Sequence, residues 1–194
     1  MTLNRRTFYI SLICMEAVIV AIALIINFFA KLSIHTALLK PVHGLWLGFA
    51  LMCGLLGGIL PSFVSKMPLL TNTYNKIVDS ITGGFRLTLI DCIIISFIAG
   101  VSEELLFRGA LQPLAGIWIT SAIFVIVHGY FDPRDWKKTL LTGPTTFLMC
   151  IVAGYLYLSL GLLYSMLFHF AYDLSAYILI LKRQRRMSGR DMMV

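Results

Sequence analysis

From Phe8 to Ala30 the chain carries one charged side chain, Glu16. About 20 apolar residues suffice to cross the hydrocarbon core of a bilayer as a helix. In lipid the backbone polar groups have no water to turn to, so a run of this kind has to satisfy them internally, as a helix does. A secretory leader has an apolar region of about 7–15 residues that ends at small residues. This run is longer and closes in Asn27-Phe28-Phe29-Ala30-Lys31, which reads as a retained first span with Glu16 turned toward the bundle or hydrogen-bonded to a neighbour.

Five further apolar runs follow, roughly His43–Val64, Phe85–Pro113, Leu114–Tyr130, Thr142–Leu158 and Leu162–Leu181. The expected fold is all-α, a polytopic transmembrane bundle of about six spans around a buried polar cavity. It reads as one integral-membrane domain over 1–194, with a motif-bearing core at 85–181, two accessory spans and a loop at 1–82, and a basic tail at 182–194. Composition agrees: 59% of residues are hydrophobic and 13% charged, against about 45–50% and 25% in soluble domains. Ser65–Thr82 reads as a loop or interfacial segment, and Gly143-Pro144 as the start of the fifth span. The third run is longer than a span needs, so a tilt or a kink at Gly100 is expected. Gly44 with Gly48, and Gly54 with Gly58, are small-xxx-small pairs that let helices approach closely. His35 and His43 read as interfacial.

The net charge of +7 invites a nucleic-acid reading, but the basic residues sit at the ends of apolar runs and form no patch, so no nucleic-acid partner is expected. Arg5, Arg6, Lys66, Lys76, Arg134, Lys137, Lys138 and the tail fall on one side of a six-span topology; Lys31, Lys40 and Arg108 fall on the other. The positive-inside rule then gives a multi-pass protein of the cell membrane with both termini cytoplasmic. Lys182, Arg183, Arg185 and Arg186 would draw anionic lipid. Cys14, Cys53, Cys92 and Cys150 stand singly in apolar runs and read as small buried hydrophobes.

Charge inside a membrane segment is costly and needs a partner or a task. Val101-Ser102-Glu103-Glu104-Leu105-Leu106-Phe107-Arg108 places two carboxylates and a guanidinium within the third run. On a helix Glu104 and Arg108 are i,i+4 neighbours with the acid N-terminal, the favourable order for an ion pair. Glu103 points about 100° away and cannot share that partner equally. Ser102 reads as a helix-entry residue, and Asp91, about 18 Å from Glu103 along a helix, as structural. The fourth run closes in Phe124…His128, and the last carries His169 and Asp173 on one helical face. A carboxylate and imidazoles around water within lipid are what hydrolysis requires, a base for water and donors for the oxyanion.

These three motifs, Glu103-Glu104…Arg108, Phe124…His128 and His169…Asp173, resemble in order and spacing those of the CAAX protease and bacteriocin-processing family. That family includes the type II CAAX prenyl endopeptidases and the Abi-type bacterial proteins. The resemblance covers roughly Ile90 to Leu174. It implies an intramembrane endopeptidase in which Glu103 activates water together with His128, Glu104 and Arg108 support the site alongside Phe124, and His169 with Asp173 binds the oxyanion. Asp173 stands where the prenyl-protease branch has Asn. An ionised Asp cannot donate a hydrogen bond, so either Asp173 carries a proton or it orients and charges His169, which then donates; the second reading is preferred. The departure also weakens the case for a prenylated CAAX protein as the membrane-associated substrate.

The resemblance implies hydrolysis without a metal or other cofactor. A His₂Glu zinc site is the alternative. No His-Glu-x-x-His or Gly-x-Ser-x-Gly motif occurs, and Tyr172-Asp173 lacks the glycine-flanked partner of an aspartyl intramembrane protease. A rival class is a non-catalytic immunity, scaffold or transport protein with the same groups as a proton relay. A shared reacting carbonyl requires His128 and His169 to lie within about 10 Å of Glu103, because both sides must come within hydrogen-bond reach of it.

Overall fold

The computed structural model describes residues 4–33, 37–38, 40–82 and 86–191, with side chains for all of these but 79–82 and 187–191. The elements are α1 (Arg5–Phe29), α2 (Gly44–Gly57), α3 (Leu60–Val64), α4 (Pro68–Thr82), α5 (Leu89–Leu106), a π-helical turn (Phe107–Leu111), α6 (Gln112–Val127), α7 (Trp136–Ser159) and α8 (Leu162–Asp191). No strand occurs among the described residues. His35 and the expected start of the third run at Phe85 lie outside the described residues.

Side chains set the helix starts. Asn4 accepts from the Thr7 N–H at 2.8 Å to cap α1, and Asp135 accepts from the Lys138 N–H at 3.0 Å to cap α7. Thr88 and Asp91 form a reciprocal capping box at the start of α5, satisfying two backbone donors that the first turn leaves open. Asp91 also accepts from the Tyr9 hydroxyl at 2.6 Å and pairs with Arg5 at 3.0 Å. This is the structural role expected of it.

Five helical stretches are long and apolar enough to cross a membrane: Arg5–Phe29, Gly44–Val64, Leu89–Val127, Trp136–Ser159 and Leu162–Arg186. The expected third and fourth runs are merged in the third of these, but that stretch is not straight. A continuous helix would set Glu103 and His128 about 37 Å apart, whereas Glu103 Oε2 and His128 Nε2 are 3.4 Å apart. The reversal lies at Gly116, whose φ of 78° and ψ of 170° are non-helical and suit a residue without Cβ. The returning limb, 117–127, is about 16 Å long, too short to cross a hydrocarbon core of about 30 Å. The expected fourth span, Leu114–Tyr130, is thus a partial one that returns beside the five long stretches.

Contacts fix their directions. Tyr9 meets Asp91 and Glu16 meets Ser102, so α1 runs parallel to α5. The Leu87 N–H donates to Gln184 Oε1 while Glu104 meets His169, so α5 and α8 are antiparallel. Arg108 donates to the Cys150 carbonyl and Gln112 to that of Gly154, so the upper part of the third pass runs parallel to α7. The last two passes turn at Gly161, φ 113°. The beginning of α1 and the end of α8 therefore emerge at the same end of the bundle. Large apolar side chains such as Phe28 and Leu45 remain outward, where lipid would cover them.

Of the loop and interfacial readings of 65–82, the loop is corrected: the segment contains α4, whose Leu70, Tyr74 and Val78 recur at i,i+4 and turn inward while Asn72 and Lys76 face out. Two further expectations are corrected. Helix α7 begins at Trp136, so Pro144 lies inside it. Helix α8 continues past Leu181, so the basic tail is helical as far as Asp191.

The two glycine pairs separate. A Cβ at Gly58 would lie 2.0 Å from the Tyr172 carbonyl oxygen, and one at Gly54 2.2 Å from that of Phe168; at Gly44 and Gly48 it would meet nothing within 4 Å. Only the second pair lets α2 approach α8. Gly58→Ala is expected to destabilise the protein by about 1–3 kcal/mol, the usual cost of overpacking. Gly48→Ala should be neutral or stabilising, since Ala favours a helix over Gly by about 1 kcal/mol. Denaturation midpoints in detergent test the pair, and equal midpoints would overturn the assignment.

Candidate active site

Three passes bring the motif residues together near mid-bundle. Glu103 and Glu104 come from α5 and Arg108 from the π turn. Phe124 lies on the returning limb with His128 at its end, and α8 supplies His169 and Asp173. Glu104 is fully buried and Arg108 is 1% exposed. They pair at 3.0 Å, and Arg108 also donates to the Cys150 carbonyl at 3.0 Å. Glu104 Oε1 lies 2.8 Å from His169 Nδ1 as well. As a carboxylate opposite Arg108 it accepts there, so Nδ1 of His169 carries hydrogen and Nε2 faces the cavity. The orienting contact to His169 thus comes from Glu104, while Asp173 stands on the other side of the ring, Oδ2 to Nε2 3.6 Å.

His128 is fixed by a different device. Its Nδ1 lies 2.8 Å from the Phe124 carbonyl oxygen, which can only accept, so Nδ1 donates and Nε2 points to Glu103. Phe124 stacks on the ring at 4.0 Å and 16°, and Tyr130 lies nearly parallel to it at 5.7 Å and 11°. Phe124 also presents to the edge of His169 at 6.0 Å, and the Arg108 guanidinium lies 5.6 Å from its centre. One ring therefore contacts both histidines and the buried cation.

Glu103 Oε2 lies 3.4 Å from His128 Nε2 and 3.9 Å from His169 Nε2, well inside the 10 Å limit. It is 7% exposed and borders a cavity of about 260 Å³. The cavity runs from the two histidines past Ala99, Ile95, Tyr177 and Val78, toward the end of the bundle that holds both chain ends. It has room for water. Among the described residues no group of three or more His, Cys, Asp and Glu side chains is disposed to hold a metal ion.

Some residues of the site were not singled out in the sequence. Tyr130 is a second aromatic ring that lies nearly parallel to His128. Gln112 extends the 104–108 stripe by another i+4 step and donates to the Gly154 carbonyl at 3.0 Å; a polar residue at that spacing in an apolar run was the available signal. Ser102 lies inside α5 and not at its entry, with Oγ 2.5 Å from Glu16 Oε2 and 2.6 Å from the Ile98 carbonyl oxygen.

Removing one partner of a buried ion pair strands the other charge, at about 3–5 kcal/mol. Arg108→Met is expected to destabilise by that order. Arg108→Lys should lose less, because it keeps the charge but not the planar fork that reaches Glu104 and the Cys150 carbonyl together. Detergent denaturation midpoints check this, and an unchanged midpoint for Arg108→Met would refute it.

Residues 85–175 match the family model described as type II CAAX prenyl endopeptidase Rce1-like. No curated protein and no solved structure matches the chain. The matched segment, a little under half of the chain, contains every motif residue from Glu103 to Asp173, and over it the chain is similar to the type II CAAX prenyl endopeptidases, in keeping with the family that its motifs resemble.

Proposed function

We propose that the protein hydrolyses a peptide bond of a membrane-associated protein or peptide, with Glu103 as the general base and no metal. The observation that carries this reading is the position of Glu103 Oε2, between two imidazole Nε2 atoms at 3.4 and 3.9 Å, at the polar end of an otherwise apolar cavity. Water entering there is held by Glu103 and His128. As its oxygen bonds to the scissile carbonyl carbon, its proton passes to Glu103; the same proton then goes to the leaving amine as the C–N bond breaks. The carbonyl oxygen takes up negative charge opposite His169. Glu104 at Nδ1 and Asp173 beside Nε2 surround that ring with negative charge, the setting that holds an imidazolium with N–H at both nitrogens. In that form Nε2–H donates to the oxyanion. Asp173 thus supplies charge where Asn would supply a donor.

Substrate access in this reading is from the end bearing both termini, and the distribution of basic residues makes that end cytoplasmic, with the bilayer of the cell membrane around the bundle and anionic lipid at Lys182, Arg183, Arg185 and Arg186. Glu104 supports the metal-free form, since Arg108 and His169 both hold its Oε1 away from Glu103. The test is cleavage of a panel of prenylated and unmodified peptides by purified protein in detergent, wild type against Glu103→Gln, with and without a strong chelator. Loss of a general base costs about 10²–10⁴-fold, so kcat for Glu103→Gln should fall by at least about 100-fold while wild-type turnover withstands chelation. Loss on chelation restored by Zn²⁺ would replace the mechanism with a zinc one. Equal cleavage by both proteins would overturn the assignment of Glu103 as the base, and none by either would overturn the catalytic reading in favour of a scaffold or transport role.

A further inference from the structure

One buried acid of the cavity has no part in that mechanism. Glu16, on α1, is 4% exposed and lines the same cavity as Glu103, His128 and His169. No ion pair to Lys or Arg is found for it among the described residues. Its one described hydrogen-bond partner is Ser102, the residue before Glu103, at 2.5 Å. The Ser102 oxygen is also 2.6 Å from the Ile98 carbonyl oxygen.

Proton counting decides between the forms of Glu16. A serine hydroxyl has one hydrogen to give. If Glu16 were a carboxylate, two acceptors would compete for that hydrogen, and a charge would sit at membrane depth without an ion-pair partner among the described residues, at a cost of several kcal/mol. If Glu16 keeps its proton, it donates to Ser102 and Ser102 donates to the Ile98 carbonyl, the back-bond that serines commonly make within helices. Both short contacts are then satisfied and no charge is left unpaired.

We propose that Glu16 is a neutral carboxylic acid that pins Ser102 and so fixes Glu103, a positioning residue contributed by the first span. It acts through Ser102 and touches no reacting atom. This rests on the reading of Glu103 as the base, and it makes the first span, which lies outside residues 85–175, part of the site.

Two measurements test it. Difference infrared spectra of wild type against Glu16→Gln read the protonation state without reference to activity: the C=O stretching band of a protonated carboxyl should be lost. Loss of a carboxylate band alone would overturn the proposal. Peptide cleavage reads the positioning. Gln is neutral, nearly isosteric and can donate to Ser102, so Glu16→Gln should retain kcat within about threefold. Glu16→Ala should lower kcat by about 10–100-fold, the scale of an ångström-sized misplacement of a reacting group, with KM nearly unchanged. Ser102→Ala, which cuts the same link from the other side, should lower kcat similarly and guards against an Ala variant at position 16 that does not fold. A Gln variant as inactive as the Ala variant, or full activity in both Glu16→Ala and Ser102→Ala, would overturn the positioning role. If Glu103→Gln itself cleaves normally, the base assignment fails, while the infrared result still decides the form of Glu16.

Discussion

The fully buried pair of Glu104 and Arg108 is the constraint on which the rest of the site depends. Removing a guanidinium and a carboxylate from water costs several kcal/mol per ion, and direct attraction offsets this only when the remaining donors and acceptors are also engaged. Here the contacts draw on four pieces of backbone, α5 through Glu104, the π turn through Arg108, α7 through the Cys150 carbonyl and α8 through His169, while Glu104 Oε2 and Arg108 Nε have no hydrogen-bond partner among the described residues. The pair therefore holds three passes in register. The direction of Glu103 follows from its neighbour: with Glu104 held against Arg108, the adjacent side chain is turned toward the two Nε2 atoms.

The two histidines reach the same small volume by unlike means. His169 is aimed by a carboxylate at its back, and His128 by a backbone carbonyl within its own helix turn and by two nearly parallel aromatic rings. The first arrangement surrounds the ring with charge, whereas the second fixes its orientation without adding a charge. In the proposed hydrolysis the ring set among carboxylates would face the developing oxyanion and the ring held by aromatic and backbone contacts would steady water.

The site was largely legible in the sequence because its logic is local. Glu104 with Arg108, Phe124 with His128 and His169 with Asp173 are each i,i+4 pairs, and helical periodicity reveals such pairs without tertiary information. What joins the pairs is not local. The contact of Glu104 with His169, and the Glu16 side chain lying on Ser102, depend on which helices become neighbours. The glycines make the same point: Gly44 with Gly48 and Gly54 with Gly58 have identical spacing, yet one pair faces open space and the other meets the α8 backbone. Element ends were misread where a strong local signal had a tertiary answer. Pro144 suggested a helix start, yet Asp135 caps α7 further upstream. The polar residues of 65–82 left a loop and an interfacial segment equally open, and Leu70, Tyr74 and Val78 give α4 an inward stripe.

The π turn at Phe107–Leu111 bears on which changes this chain can absorb. Each of its residues is wound less tightly than in an α-helix, equivalent to one extra residue in the turn. Deleting one of Gly109, Ala110 or Leu111 would relax the turn to ordinary α geometry and leave the helix on either side in nearly the same orientation, so Arg108 and Gln112 would keep their carbonyls on α7. A one-residue deletion in the regular helix at 104–106 would instead rotate everything beyond by about 100° relative to Glu103 and take Arg108 away from the Cys150 carbonyl. The π turn is thus the place where this stretch absorbs a change in length, whereas the helix before it is constrained in its number of residues as firmly as in its chemistry.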